Sequence, residues 1–267
     1  PKAGLYLGDG PDVCGRVTVA DIGIDPAWDD APGMAVLETG DRLLPPRKRN
    51  THKGTYGRLL VLAGSAGMAG AAGICATAAL RAGAGLVTVA CPREIVPAVQ
   101  ALCPCATCLP LPERDVEAAW QTLQPALIRA DALVAGCGMG REALAVGLAE
   151  RLLPSLCEHG LPAVLDADAL NLLSKREDFR IGEGGLRFPD YVILTPHLGE
   201  AARLLHMPVD LVNRDQPAAA RTLRALYGGA VVLKSAASVL MAADGEALNV
   251  FGTPAMAKGG SGDSLAG

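Results

Sequence analysis

Aromatic residues are scarce in this chain: Phe, Trp and Tyr together make up 3% of 267 residues. Half of the residues are hydrophobic, so a large core is possible, but it has to be built from Ala, Leu and Val. A basic block is also missing, and the net charge is −4. That balance argues against nucleic-acid binding and against a role at an anionic membrane surface. Any phosphate ligand must be held by local features. No apolar run of membrane-spanning length is free of glycine or charge, and no secretory signal is visible. A reducing, cytoplasmic setting is the expectation.

Cysteine is present at eight positions, without a metal-binding pattern. Cys75, Cys91, Cys137 and Cys157 lie in or beside apolar segments and read as small core residues. Cys103, Cys105 and Cys108 form a tighter cluster, but no fourth ligand stands at a recognisable spacing. No protein metal ligand is assigned.

What the chain has in quantity is glycine and proline, 32 and 19 residues, which suit tight turns between short elements. Residues 1–25 read as two short strands, around Gly4–Leu7 and Arg16–Ile24, with a turn at Gly8–Gly15. Residues 26–45 are rich in Pro, Asp and Gly and read as a linker. From residue 57 apolar strand-length runs alternate with helical segments. Strands are expected at Arg58–Ala63, Leu86–Cys91, Ala132–Ala135, Pro162–Leu165, Tyr191–Leu194 and Ala230–Lys234, then an antiparallel pair at 238–243 and 247–251. Helices are expected at Ala69–Ala82, 141–158, 199–206 and 215–227. This pattern predicts an α/β fold with a mostly parallel sheet covered on both faces. Ligands of such sheets bind beyond the carboxyl ends of the strands. Gly64-Ser65, Gly136–Gly140, Asp166 with Asp168, Thr195–Glu200 and Lys234–Ser238 each follow a strand, so they are expected along one edge.

The run Lys258-Gly-Gly-Ser-Gly-Asp-Ser-Leu-Ala-Gly267 is the sharpest motif. Its glycines permit a tight turn and close approach to a ligand. A helix N-terminus following them offers free N–H groups and a positive dipole end to a phosphate. Asp263 can then act as a general base toward a hydroxyl. The plain alternative is a glycine loop with an N-capping aspartate. Both ends, Pro1 and Gly267, read as cuts, so a longer parent protein is expected.

Several runs together carry a resemblance. They are His52–Gly57, Ala63-Gly64-Ser65 with Gly70-Ala71-Ala72, Ala79–Leu86, Leu165–Asn171, Leu194–Glu200 and Gly259–Asp263. Over residues 46–267 they resemble the ADP-dependent NAD(P)H-hydrate dehydratases, ribokinase-like enzymes of metabolite repair. Residues 1–25, above all Cys14–Ile24, look like the tail of an NAD(P)H-hydrate epimerase domain. The resemblance implies a ribokinase-like three-layer αβα fold, a homo-oligomer (commonly a tetramer) and only small-molecule nucleotide partners. It implies that ADP phosphorylates the hydroxyl of a hydrated nicotinamide ring, with Mg2+ expected to bridge the phosphates. NAD(P)H hydrate is then the substrate, and NAD(P)H, AMP and phosphate are the products.

By position, the resemblance makes Asp263 the catalytic base and puts Ala71, Gly138, His197 and Asp263 against the substrate. Lys234, Ser235, Ala236, Ala237 and Ser238 fall at nucleotide contacts, as do Gly259, Gly260, Ser261 and Gly262. Two residues depart from the family pattern. Ser235 stands where glycine is usual and could crowd the nucleotide. Lys258 stands where Thr or Ser is usual and either faces phosphate or points to solvent. Two other functions share much of this pattern: a ribokinase-like kinase for a small alcohol or vitamin precursor, and a nucleotide-binding domain without catalysis.

Overall fold

The computed structural model describes residues 2–23, 25, 33–37, 46–158, 160–179 and 185–267. After a 3-10 turn at Ala3–Leu5 come α1 (Gly10–Cys14) and β1 (Ala35–Val36). The alternating body opens with β2 (Arg58–Leu62), α2 (Ala69–Ala82), β3 (Leu86–Pro92), α3 (Val96–Leu102), β4 (Thr107–Leu111) and α4 (Val116–Arg129). It continues with β5 (Ala132–Ala135), α5 (Ala143–Glu158), β6 (Ala163–Leu165), α6 (Ala167–Leu173), β7 (Phe188–Leu194) and α7 (Leu198–Leu205). It closes with α8 (Val209–Arg214), α9 (Gln216–Tyr227), β8 (Gly228–Leu233), β9 (Ser238–Ala242), β10 (Gly245–Asn249) and α10 (Ser261–Ala266).

Among the described residues the strands form one sheet in the order β1-β10-β9-β8-β7-β6-β5-β2-β3-β4. All pairings from β8 through β4 are parallel. The hairpin strand β9 is antiparallel to both β8 and β10. The chain moves outward from β2 to β4, then returns to β5 on the other side of β2 and runs on to β8. Adjacent β2 and β5 therefore flank the point where strand order reverses, the place where such sheets leave a ligand crevice. Register fixes the edge. Leu62 pairs with Ala135, Ala135 with Leu165, Leu165 with Leu194 and Leu194 with Val231. The residues that follow these positions emerge in one row. The expected mostly parallel α/β sheet is present, and the strand ends that carry the motifs lie in one row.

Alternation along each strand separates two cores. Leu60 and Leu62 of β2 join Leu123, Leu148, Leu152 and Leu223 on one face, under α4, α5, α6, α7 and α9. Val61 and Ala63 join Val89, Cys75, Ala76 and Ala266 on the other, under α2, α3 and α10. On that face α2 is a helix of small residues, which lets its neighbours approach closely. Its Gly73 admits Leu102 so closely that a Cβ there would lie 2.7 Å from the leucine Cβ. Proline inside α5 has a traceable consequence. Pro154 lacks the N–H that would bond the Glu150 carbonyl, and that carbonyl accepts instead from Arg176 Nη1 at 3.1 Å.

The amino-terminal reading needs correction. Gly4–Leu7 and residues 16–23 form no strand; a 3-10 turn and α1 occupy the first part of this segment. Gly10 lies so close to the Gly4 carbonyl that a Cβ would overlap it, and Pro11 opens α1 at a position where a missing N–H does no harm. Ala3, Tyr6 and Leu7 pack on the larger core instead of pairing with a neighbouring strand. Ile24 lies outside the described residues, as does most of the segment read as a linker. Within that segment Ala35–Val36 pairs in parallel with β10 at the sheet edge.

Candidate active site

The crevice is built first from glycine turns. Gly64, Gly136, Gly138 and Gly140 all have positive φ (80°, 121°, 58° and 79°), a region closed to most side chains. The two turns are tied together: Gly64 N donates to the Cys137 carbonyl at 2.9 Å, and Ser65 Oγ donates to the Gly138 carbonyl at 2.9 Å. A Cβ on Gly138 would sit 2.8 Å from the Ala71 Cβ. The two residues expected to meet substrate through small surfaces, Ala71 and Gly138, are thus neighbours.

Next along the edge lies Asp166, a buried residue that pairs with Lys234 through Oδ1 at 2.6 Å. The other oxygen faces α10: a Cβ on Gly262 would lie 3.5 Å from Asp166 Oδ2 and 3.6 Å from Lys234 Nζ. The start of α10 therefore passes over this ion pair. Gly260, at φ 88°, caps the helix, and Asp263 stands in its first turn without making a capping bond. That removes the plain reading of Asp263 as an N-cap. Burial lifts the Asp263 carboxyl above its usual range, and the charge of Asp166 adds to this. A hydrogen bond from the Cys137 thiol and the Lys234 ammonium pull the other way. The helix itself is short but anchored, with Ala266 buried in the smaller core.

Between Asp166 and Asp168 the chain is strained. Ala167 has φ 48°, a left-handed conformation unfavourable for a residue with a Cβ. Hydrogen bonds hold Asp168 in place beyond it. Its Oδ2 accepts from Gly140 N at 2.9 Å, and its Oδ1 accepts from Arg141 Nε at 3.3 Å and Asn171 Nδ2 at 3.4 Å. Asn171 in turn accepts from Arg203 Nε at 2.7 Å.

His197 begins α7 with a reciprocal cap. Its Nδ1 accepts from the amides of Gly199 (3.0 Å) and Glu200 (3.3 Å), while Glu200 Oε2 accepts from the His197 amide at 2.9 Å. An accepting Nδ1 leaves the ring proton on Nε2, which lies 3.3 Å from Glu200 Oε1. Burial, then the charges of Lys234 and Arg203, keep the His197 pKa below its usual value, so the ring is neutral at neutral pH. With Nδ1 engaged, Nε2 close to Glu200 and the side chain 53% exposed, the ring offers its face. A bridge between His197 and Lys234 joins this end of the crevice to the ion pair. Glu200 is buried, and that burial raises its pKa to about 6.

The structure therefore brings Ala71, Gly138, His197, Lys234, Gly262 and Asp263 to one edge. The departures from the family pattern are accommodated. The Ser235 hydroxyl is turned inward, 2.7 Å from both Gln216 Oε1 and the Ala237 carbonyl. Lys258 and Gly259 are exposed, as is Ala236, while Ala237 is buried. Gly260, Ser261 and Ser238 are half-buried. Sequence reasoning placed Asp166 and Glu200 on this edge without assigning them a role, and did not single out Arg203. The His-x-x-Glu spacing signals the Glu200 cap, whereas nothing local pairs Asp166 with Lys234, 68 residues away. Among the described residues no group of three or more His, Cys, Asp or Glu is placed to hold a metal ion. No helix among them is long and apolar enough to cross a membrane. An apolar cavity of ≈ 370 Å³ lined by Trp120, Leu127 and Ile128 lies at the opposite ends of β5 and β6, away from this edge.

The chain is similar to known proteins in sequence and in fold. A family model described as NAD(P)H-hydrate dehydratase matches residues 59–267. The bifunctional NAD(P)H-hydrate repair enzyme of Coxiella burnetii is 40% identical over 277 residues, covering 100% of this chain and 52% of that protein. The ADP-dependent (S)-NAD(P)H-hydrate dehydratase of Neisseria meningitidis is 39% identical over 223 residues, covering 83% of this chain and 70% of that one. Among solved structures, the ADP/ATP-dependent NAD(P)H-hydrate dehydratase of Bacillus subtilis, co-crystallised with ATP/Mg2+, superposes with a TM-score of 0.67 at 31% identity. That match covers 84% of this chain and 74% of the other. A ribokinase-like superfamily protein of Enterococcus faecalis gives a TM-score of 0.70 at 28% identity, covering 83% of this chain and 72% of its own. The chain spans about half the length of the bifunctional relatives it matches. With the family model extending from β2 to Gly267 and these relatives at 39–40% identity, the chain belongs to the NAD(P)H-hydrate dehydratase family.

Proposed function

We propose that this chain catalyses ADP-dependent dehydration of (6S)-NAD(P)H hydrate to NAD(P)H, with release of AMP and phosphate. One observation carries the reading: Asp263 stands in the first turn of α10, its pKa raised, beside the Asp166–Lys234 pair and against Cys137, the residue before Gly138. The hydrated ring lies between Gly138, Ala71 and the face of His197. Asp263 takes the proton of the ring hydroxyl as its oxygen attacks the terminal phosphorus of ADP. The new O–P bond forms, and the bond from that phosphorus to the AMP oxygen breaks. The amides of Gly259–Gly262 and the Lys234 ammonium hold the transferring group, since positioning and electrostatics dominate phosphoryl transfer. Phosphate, unlike hydroxide, is a good leaving group. The ring-nitrogen lone pair expels it, and loss of a proton from the neighbouring carbon restores the double bond.

The turn at Lys234–Ser238 holds the nucleotide, with Ser235 folded away from it. Mg2+ fits these residues, because it binds phosphates through one or two carboxylates and water instead of a full protein cage. Asp166 would supply the carboxylate, and the bound ion would neutralise phosphate charge. The remaining readings belong to the same proposal. Residues 1–25 are the end of an epimerase domain, 26–45 a linker and 46–267 the dehydratase, in a cytoplasmic homo-oligomer.

The test is to incubate the purified protein with hydrated NADH or NADPH plus ADP or ATP. Recovery of NAD(P)H absorbance with stoichiometric free phosphate is expected. A stable phosphoester would assign a kinase instead, and ADP binding without turnover an inactive domain.

A further inference from the structure

Between α6 and α7 runs a groove of ≈ 570 Å³ that begins beside Gly199 and ends at His206 and Pro208. Its charged lining among the described residues is of one sign: Lys175 and Arg203 line it with the His206 imidazole, and no described carboxylate does. This local excess stands out in a chain of net charge −4. Arg203 is pre-oriented. Its Nε is spent on Asn171 Oδ1 at 2.7 Å, and Asn171 is buried and braced by Asp168. Both terminal nitrogens remain available, and Nη1 lies 3.8 Å from where a Cβ on Gly199 would be. A guanidinium presented this way matches the oxygens of a phosphate group. The groove adjoins the crevice, because Gly199, which lines it, lies against the His197 ring. At 1.5 Å per residue, Gly199 to His206 spans about 10 Å along α7. On the dehydratase reading the α10 loop holds the ADP phosphates, which leaves this groove for another anion.

We infer that this groove is an anion subsite that takes a phosphate of the substrate dinucleotide while the reactive ring lies at His197. Arg203 and Lys175 are its specificity-determining residues. The inference rests on the dehydratase reading above. The phosphate has two sources, the bridging pyrophosphate and the 2′-phosphate present only in the NADPH form.

The test uses the full chain carrying Arg203→Gln, Lys175→Gln or Arg203→Lys, assayed with both hydrates. The KM of the glutamine variants should rise about tenfold or more while kcat stays within about threefold, as expected for uniform binding of a charged group. Arg203→Lys should recover part of the loss, and added salt should raise the wild-type KM more than the variants'. A rise confined to NADPH hydrate assigns the 2′-phosphate; an equal rise for both assigns the pyrophosphate. The Lys175 side chain makes no hydrogen bond or ion pair among the described residues, so Lys175→Gln carries the test where an Arg203 variant does not fold. Unchanged KM for both substrates overturns the subsite, as does a fall in kcat and melting temperature at constant KM. If the wild type shows no turnover, the dehydratase reading fails by itself. Calorimetric binding of NADP+ and NAD+ to the ADP-saturated protein then decides the subsite. About tenfold weaker binding by Arg203→Gln upholds it, and equal or absent binding overturns it.

Discussion

Asp263 occupies the first turn of α10 while Gly260 does the capping, so its carboxylate, met by the Cys137 thiol, is not spent on the helix end. Replacing it with Asn keeps shape and hydrogen bonding but removes the basic oxygen. Turnover should fall about 100-fold or more, with ADP affinity measured by calorimetry changing little. Parallel loss of ADP binding and turnover would return Asp263 to a structural role. Glu200 offers a second test at this scale. Its folded pKa, about 6, lies above the ordinary 4.5. The folded state thus binds the proton more tightly than the unfolded chain. The stability this group contributes is complete below about pH 4.5 and is lost as pH rises through about 6, on the order of 2 kcal/mol in all. Glu200→Gln removes that titration. Urea unfolding at pH 4.5 and 7.5 should give a smaller pH-dependent loss in the variant than in the wild type, and an equal loss would count against the buried-carboxylate account. The motif residues were legible because glycine, proline and aspartate after a strand have specific physical uses. The Asp166–Lys234 and Asn171–Arg203 contacts were not, since they join segments 68 and 32 residues apart with no local pattern.

The elements most legible in the sequence were the buried parallel strands, whose continuous apolar runs end at glycine or a polar residue. Harder to read were α3, β4, α4 and α6. Cysteines and Pro104 interrupt the path to β4, which also contains Pro110, and α4 contains Pro125. The strand edge β4 tolerates its proline because only one side of it is paired. The glycine turn after β5 is the element on which the crevice depends. Gly138→Ala would place a Cβ in a left-handed backbone and against Ala71 and Met68, at 2.8 and 3.0 Å. The conformational term alone costs about 1–2 kcal/mol. Denaturant unfolding should report at least that loss, and KM for the hydrate should rise more than KM for ADP. Retention of both KM values would detach this turn from substrate binding.

Across the whole molecule, the sheet order sets where the crevice sits; the alternation of strands and helices made the mostly parallel sheet legible from sequence, but not the order of its strands. The first 23 residues escaped because Tyr6 and Leu7 satisfy their apolar demand by packing onto the larger core, where no strand pattern is needed. Ala167 links the two halves of the crevice more tightly than the topology alone requires. Its left-handed backbone persists only while both neighbours hold it, Asp166 through Lys234 and Asp168 through Gly140 and Arg141. Releasing either aspartate lets the residue relax and disturbs the other. Injuries to the two should therefore not sum. In a double-mutant cycle, Asp166→Asn and Asp168→Asn should together cost less stability than the two single losses added, with a coupling of at least about 0.5 kcal/mol. Strict additivity would mean that Ala167 carries its strain without transmitting it. If coupling is found, the phosphate end and the loop end of the crevice share one mechanical setting, and neither can be re-engineered without retuning the other.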